Sequence, residues 1–485
     1  MLRSTAIVMG QVLLLALSST CLSETVFTPF TIETGFANPG SVCAADIDGD
    51  GDNDVLGAAV DGNQVAWWRN DGGNPVAWTK FIIADAFGGA ISVYAADVDG
   101  DSRMDVLAAG YNRNQIAWWR NNGGDPITWT KQAIGNYFMQ AHEVYACDLD
   151  NDGDTDVLGA SILNNTVAWW RNDGGSPIVW TLQTFSTTFK GARSIRAADF
   201  DGDGDNDVVG AALIDNKLTW WRNDGGSPIL WTEITITSSF AGSHMVRTCD
   251  LDNDGDIDLV AAAYVADQIA WWRNDGGDPV AWTKQTISAD MDGALSISMA
   301  DLDEDGNVDV VGTAQFANDL AWWSNDGGSP ITWTAHMIDG NFGGVWPVYT
   351  ADIDGDAHTD VVSGGDTFDE VKWWRNEPQA GAPDPSNGAG GAGSFLYQNS
   401  PNPFKPGAGT SIRFDLARDS EVKIAVNDVR GRLVRTLVRG WQSAGPHQVD
   451  WDGLDGRGSL VAPGVYFTRM VTEGYSATRP AIVTK

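Results

Sequence analysis

Four aspartates recur inside one nine-residue window at seven places in the chain. The sets are Asp46, Asp48, Asp50 and Asp54; Asp97, Asp99, Asp101 and Asp105; Asp148, Asp150, Asp152 and Asp156; Asp199, Asp201, Asp203 and Asp207; Asp250, Asp252, Asp254 and Asp258; Asp301, Asp303, Asp305 and Asp309; and Asp352, Asp354, Asp356 and Asp360. Carboxylates at positions one, three, five and nine, a flexible backbone at six and a main-chain carbonyl at seven suit a hard cation that wants about six to eight oxygens. Position seven is then free to vary, and it does: Asp52, Arg103, Asn307 and His358 all occur there. The alternative reading is a solvated Asp/Gly turn. Four like charges in one short loop repel without a cation, and every copy keeps all four. An EF-hand would need a Glu at position twelve, where the first copy has Gly57, and magnesium prefers to retain water. The expected cofactor is calcium, about one ion per repeat.

The loops open at Asp46, Asp97, Asp148, Asp199, Asp250, Asp301 and Asp352, a constant spacing of 51 residues, which is the mark of a repeat architecture. Each repeat holds four short β-rich runs, as in 92–97, 105–111, 115–121 and 127–134, separated by turn residues. Four strands per unit make a propeller blade. The aspartate loop joins strands one and two, Tyr111-Asn112-Arg113-Asn114 joins two and three, and Asn121-Asn122-Gly123-Gly124 is expected as a tight hairpin between three and four. The adjacent pair Trp67-Trp68 and its six equivalents must point to opposite faces of their sheets. In a ring of blades both faces are covered, so the tryptophans read as scaffold rather than as sugar-stacking groups.

The seventh repeat stops after Trp373-Trp374-Arg375-Asn376-Glu377-Pro378 and lacks a fourth strand. At the other end, Phe27-Thr28-Pro29-Phe30-Thr31-Ile32 precedes Asp46 by the interval that separates Trp78 from Asp97. Phe27 stands where a third Trp belongs, and the N-terminal strand is expected to complete blade seven and leave no free edge. The fold class is all-β: a seven-bladed β-propeller over 24–377, then a C-terminal Ig-like β-sandwich.

The chain has 485 residues, is 43% hydrophobic with 23 Trp, and carries a net charge of −35. Such an acidic field repels nucleic acid phosphates and anionic membrane surfaces. Arg3, the apolar run 6–17 and the small residues that follow read as a secretory signal peptide over 1–23, cleaved near Cys21 or Ser23 or, as an alternative, acylated at Cys21. Cys43, Cys147 and Cys249 fall at equivalent inner positions of repeats one, three and five, too far apart to pair, and are expected as buried free thiols.

With D-x-D-x-D-G-x-x-D opening each of seven propeller repeats, the region from Phe27 to Glu377 resembles the FG-GAP and VCBS repeat family, which includes integrin α-subunit propellers and some fungal lectins. The resemblance implies that the metal staples each blade and that the ligand surface lies elsewhere. Ser102 and Ala357 replace the position-six glycine, which is expected to weaken sites two and seven.

Alternate connections of antiparallel strands emerge at opposite ends, so one face of the disk carries the aspartate loops. The other face varies between copies. Six residues before each loop stand Gly40, Ile91, His142, Arg193, His244, Leu295 and Trp346, expected to ring the channel mouth. His142, Arg193, His244 and Trp346, with Arg113 in a two-three turn, either form a recognition site for a glycan or protein ligand or are ordinary loop variation. No nucleophile, zincin or P-loop motif is present among residues that include five His.

Residues 378–393 read as a flexible linker. Beyond it, alternating runs at 421–426, 433–438, 447–451 and 464–471 describe a sandwich of about seven strands over 394–485. Tyr397-Gln398-Asn399-Ser400-Pro401-Asn402-Pro403-Phe404, Asp428-Val429-Arg430-Gly431-Arg432, Trp451-Asp452-Gly453 and Pro463-Gly464-Val465-Tyr466-Phe467 resemble the C-terminal type IX secretion sorting domain, related to the Ig-like domain of flagellar hook-capping proteins. That resemblance implies contact with an outer-membrane secretion machinery and delivery to the surface or medium of a Gram-negative-type bacterium. The expected protein is a monomeric, non-catalytic, secreted adhesion or binding module. A polysaccharide hydrolase or lyase on a propeller, and a structural surface-layer component, are the rival classes.

Overall fold

The computed structural model describes residues 25–378 and most of 395–484. The signal-peptide expectation, and the linker expectation beyond residue 378, lie outside the described residues. No helix occurs among the described residues, and the chain divides into two compact units, 1–380 and 381–485.

The first unit is seven four-stranded antiparallel sheets. Blade one runs from the inside outward as Pro39–Ala45, Asp54–Ala59, Gln64–Asn70 and Trp78–Ala84. The alternation of Trp67 and Trp68 works as the period-two rule requires. Trp67 joins a core cluster with Phe87 and Trp119 of blade two, while Trp68 packs with Val362 and Trp373 of blade seven. Both indoles are almost wholly buried, and Phe36 meets Trp68 edge-on at 4.9 Å between centroids. Gly57 must be glycine here, because a Cβ would lie 2.8 Å from the Trp68 ring and 2.9 Å from Phe36. The third tryptophan reaches the preceding blade: Trp180 lies 6.5 Å from Trp118, and Trp231 lies 6.3 Å from Trp169.

The ring closes as the spacing predicts. Thr25–Thr34 is the outer strand of the sheet formed by Val345–Ala351, Asp360–Gly365 and Glu370–Pro378. Phe27 pairs with Asn376 and Phe30 with Trp373, the same register in which Trp78 pairs with Asn70 and Phe81 with Trp67. Phe27 also meets Trp322 of blade six edge-on at 6.4 Å, the contact a third Trp makes elsewhere.

One expectation is corrected. The connection between strands three and four is not a tight hairpin but a seven-residue loop, 71–77 in blade one and 122–128 in blade two. The ladder stops at the Asn70–Trp78 pair because Asn70 Oδ1 turns to accept the Gly72 N–H and Asp71 is taken by Arg69 and Thr79. The loop then closes on itself through Asp71 N–H to Ala77 O and Ala77 N–H to Gly72 O.

Each innermost strand carries a bulge just before its centre, as between Ala141 and Glu143 or Ala192 and Ser194. The skipped residue is the one six before the aspartate loop, joined in blades six and seven by the residue after it. A bulge re-aims a side chain, and this one turns positions six, five and three before the loop toward the axis. The three cysteines are free; Cys43 is buried, and burial pushes its thiol up to about 12.

The second unit is a sandwich. Phe395–Leu396, Thr410–Leu416 and Gly445–Trp451 form one sheet, and Ser420–Asp428, Leu433–Gln442, Gly464–Thr472 and Tyr475–Val483 form the other. Ile412, Phe414, Ile424, Val426, Trp451 and Met470 fill the space between.

Candidate functional site: aspartate loops and axial channel

Each aspartate loop connects the inner strand of a blade to the second strand, and its carboxylates first organise its own backbone. Asp46 accepts the Gly49 N–H at 2.7 Å and the Gly51 N–H at 3.1 Å, and Asp50 accepts the Asp52 N–H at 3.0 Å. The position-nine carboxylate is fully buried: Asp54 accepts the Ile47 N–H at 3.0 Å and the Asn70 N–H at 2.8 Å. Desolvation pushes these position-nine groups up, to about 7 for Asp54 and about 8 for Asp360. They are buried carboxylates held chiefly by backbone N–H groups.

The remaining oxygens turn inward. Asp46, Asp48 and Asp50 bring carboxylate oxygens within 4.8 Å of one another, as do Asp97, Asp99 and Asp101; in the third loop Asp156 joins Asp148 and Asp150. The Oδ1 atoms of Asp99, Asp150, Asp201, Asp252 and Asp354 are buried without a hydrogen-bond partner in the protein. Converging, unsatisfied, all-oxygen donors fit a hard divalent cation.

Loops two and seven differ in a way the sequence reading did not reach. Arg69, Arg171, Arg222 and Arg273 pair with the hairpin carboxylates Asp71, Asp173, Asp224 and Asp275. Blade two has Asn122 at that place and blade seven Glu377. There the arginine turns onto the aspartate loop: Arg120 lies 2.5 Å from Asp99 and 3.1 Å from Asp101, and Arg375 lies 2.8 Å from Asp354 and 3.1 Å from Asp356 while keeping a longer 3.9 Å approach to Glu377. Ser102 and Ala357 hold φ of 69° and 72°, so they keep the glycine-like turn, and their N–H groups still reach Asp97 and Asp352.

The asparagine two residues after each Trp-Trp pair is a functional residue the spacing argument does not single out, although its presence in all seven repeats signals it. Asn121 Nδ2 donates to Met104 O in its own loop and to Ile47 O in the loop of the preceding blade, both at 3.0 Å. Asn70 does the same across the ring closure, reaching Ile353 O at 2.7 Å. Neighbouring aspartate loops are thereby tied edge to edge.

Along the inner strands lies an axial cavity of about 330 Å³, lined from the residues six before the loops down to Thr248, Met299 and Thr350. His142, Arg193, His244 and Trp346 line it, together with Gly40 and Ile91, as their position six before the loop predicts. Arg113 does not join them. It is exposed on the blade-two turn, held by its N–H to Gly88 O at 2.8 Å. Deeper in the cavity sits a network that no spacing argument found. Glu143 accepts from Arg196 at 2.8 Å, from Arg247 at 3.3 Å and from the Ile195 N–H at 2.8 Å. Burial alone would push the Glu143 carboxyl up, but the two guanidinium groups and these hydrogen bonds hold it below the usual range. Arg196 also lies over the Tyr145 ring at 4.8 Å.

The model for the FG-GAP-like repeat matches residues 46–108, 97–159, 148–210, 199–261 and 250–312. That for the FlgD Ig-like domain matches 399–474. No curated protein matches at a significant level. Among solved structures, BBS1N, crystallised with ARL6DN and soaked with lead, is similar at a TM-score of 0.49 and 10% identity, over 74% of this chain and 98% of its own. PorZ, described as an essential bacterial surface component of the type-IX secretion system of Porphyromonas gingivalis, is similar at a TM-score of 0.42 and 14% identity over 93% of this chain, which spans 60% of PorZ. With one repeat model running from residue 46 to residue 312, over half its length, the chain belongs to the FG-GAP-like repeat family and ends in an FlgD Ig-like domain.

Proposed function

We propose that the protein is a secreted, calcium-stapled, non-catalytic binding module displayed at a cell surface, which takes a glycan or protein ligand on the propeller face opposite the aspartate loops. One observation carries the reading. On that face the two-three turns of blades three to seven present Leu163, Ile214, Val265, Phe316 and Phe368, each at least 54% exposed, as an arc around the channel mouth. Exposed apolar groups gathered on one surface mark an interaction site. They stand where the copies differ, while the aspartate loops repeat as scaffold. The test is a glycan and protein array probed with the calcium-loaded protein and again after chelation. A calcium-dependent hit lost on Phe316→Ser and Val265→Ser is expected. Turnover of an array glycan in place of retention would overturn the non-catalytic reading.

The FlgD Ig-like domain and the Pro463-Gly464-Val465-Tyr466-Phe467 stretch support a sorting role for the C-terminal unit. In a host that exports the full chain, removal of residues 395–485 is expected to retain the propeller in the periplasm. Unchanged surface delivery, read by protease accessibility on whole cells, would sink that role.

A further inference from the structure

The axial cavity carries an electrostatic imbalance. Three guanidinium groups line it, those of Arg193, Arg196 and Arg247, and the only carboxylate among its lining residues is Glu143. Glu143 is committed to Arg196, Arg247 and the Ile195 N–H. Arg193 has no acidic partner among the described residues; it reaches His244 Nε2, and its own Nε is buried without a hydrogen bond in the protein. This is a net positive pocket on a chain of charge −35.

The histidines fix the second requirement. His142 Nδ1 lies 3.0 Å from Arg193 O, and His244 Nδ1 lies 3.0 Å from Leu295 O. A carbonyl only accepts, so each Nδ1 carries the proton and each neutral ring offers a lone pair at Nε2. His244 Nε2 takes its proton donor from Arg193. His142 Nε2 has no partner in the protein, and its side chain is over nine-tenths buried. An unpartnered buried acceptor calls for a donor, as a buried guanidinium with no acidic partner calls for an anion.

Sulfate presents acceptors only and would leave His142 unsatisfied; phosphate keeps an O–H near neutral pH but has no apolar ring face to set against Trp346, Tyr94 and Tyr349. A carboxylate flanked by hydroxyls supplies both groups, with its planar oxygens matched to the guanidinium fork. Trp346, Tyr94 and Tyr349 add apolar ring faces to the wall. A volume of about 330 Å³ is at the small end of ligand pockets and admits one six-membered ring rather than an extended chain.

We propose that the axial channel binds one acidic sugar unit, its carboxylate on Arg193 and a hydroxyl donating to His142, either as the free sugar acid or as the end of an acidic glycan. The assignment rests on the reading of the variable face as the ligand face, and it names the ligand class for the channel at its centre.

The test is calorimetric titration of the full-length, calcium-loaded protein with sodium glucuronate, glucose, the methyl ester of glucuronic acid, inorganic phosphate, and an oligosaccharide ending in glucuronate. One glucuronate per chain is expected, with glucose, the ester and phosphate at least tenfold weaker, and Arg193→Gln at least tenfold weaker for glucuronate. The ester comparison needs no variant, so it stands even if Arg193→Gln fails to fold. Binding of the free acid alone, of the oligosaccharide alone or of both supports the site and identifies the source. Equal binding of glucose or the ester, preference for phosphate, or no binding of any of these compounds overturns it. The arc variant Phe316→Ser separates the two readings: loss of an array ligand with glucuronate binding intact leaves the channel site standing, while an array hit of another class with a silent titration removes the channel site alone.

Discussion

Chelation of calcium is expected to lower the melting temperature of the propeller by about 10 °C. A ligand that binds only the folded state adds RT ln(1 + [L]/Kd) per site. Five sites each held at about ten times their Kd contribute about 7 kcal/mol together, and a domain of this size loses about 1 °C for each 0.7 kcal/mol. The number of strong sites is set by the arginines. In loops two and seven an incoming cation has to displace Arg120 from Asp99 and Asp101, or Arg375 from Asp354 and Asp356. The expected isotherm therefore has five tighter and two weaker sites. Scanning calorimetry with and without EDTA, and a calcium titration of the stripped protein, check both parts. An unchanged melting temperature would remove the metal assignment, and seven equal sites would remove the role given to Arg120 and Arg375.

Deleting residues 25–34 should cost the propeller its cooperative fold. The strand contributes the outer edge of blade seven in a continuous antiparallel register. Phe30 stacks on Trp373 at 5.0 Å, and Phe27 covers Trp322. Losing Phe27, Phe30 and Ile32 removes about 2 kcal/mol each. The lost ladder adds to this, and the total approaches the whole stability of an ordinary domain, about 5–15 kcal/mol. The deletion also opens a strand edge that templates aggregation. The expected readout is loss of the sharp thermal transition together with soluble aggregates on size-exclusion chromatography. Restoration by a peptide of residues 25–34 added in trans would show that the closure, rather than chain length, is responsible. The milder Phe27→Ser change should lower the melting temperature by about 3 °C. A deleted protein that melts like the parent would show that the ring does not depend on this strand.

Much of the scaffold is legible in the sequence. The 51-residue interval gave the blades, the missing third Trp after Trp374 pointed to Phe27, and the acid spacing gave the inward carboxylates. These are local or strictly periodic signals, and a strand's period of two or a loop's oxygen pattern survives without knowing what lies across the molecule. The loop at 71–77 was misjudged because the Gly-Gly pair looks like a hairpin turn, whereas Asn70 and Asp71 spend their side chains on Gly72, Arg69 and Thr79 and end the ladder early.

What the sequence determined alone is therefore the repeated part: the fold, the closure and the acid pattern of each aspartate loop. Tertiary structure decided the rest. Glu143, Arg196 and Arg247 belong to three different repeats, with Glu143 five residues before its loop and both arginines three before theirs; they meet because ring closure turns the inner strands of blades three, four and five toward a common axis and a bulge in each strand re-aims its side chains. Arg113, which matches Arg193 by type, stays out because it stands on a two-three turn rather than on an inner strand, with its N–H on Gly88 O. Contacts across an axis depend on which blades face each other, and that information exists only once the ring is closed.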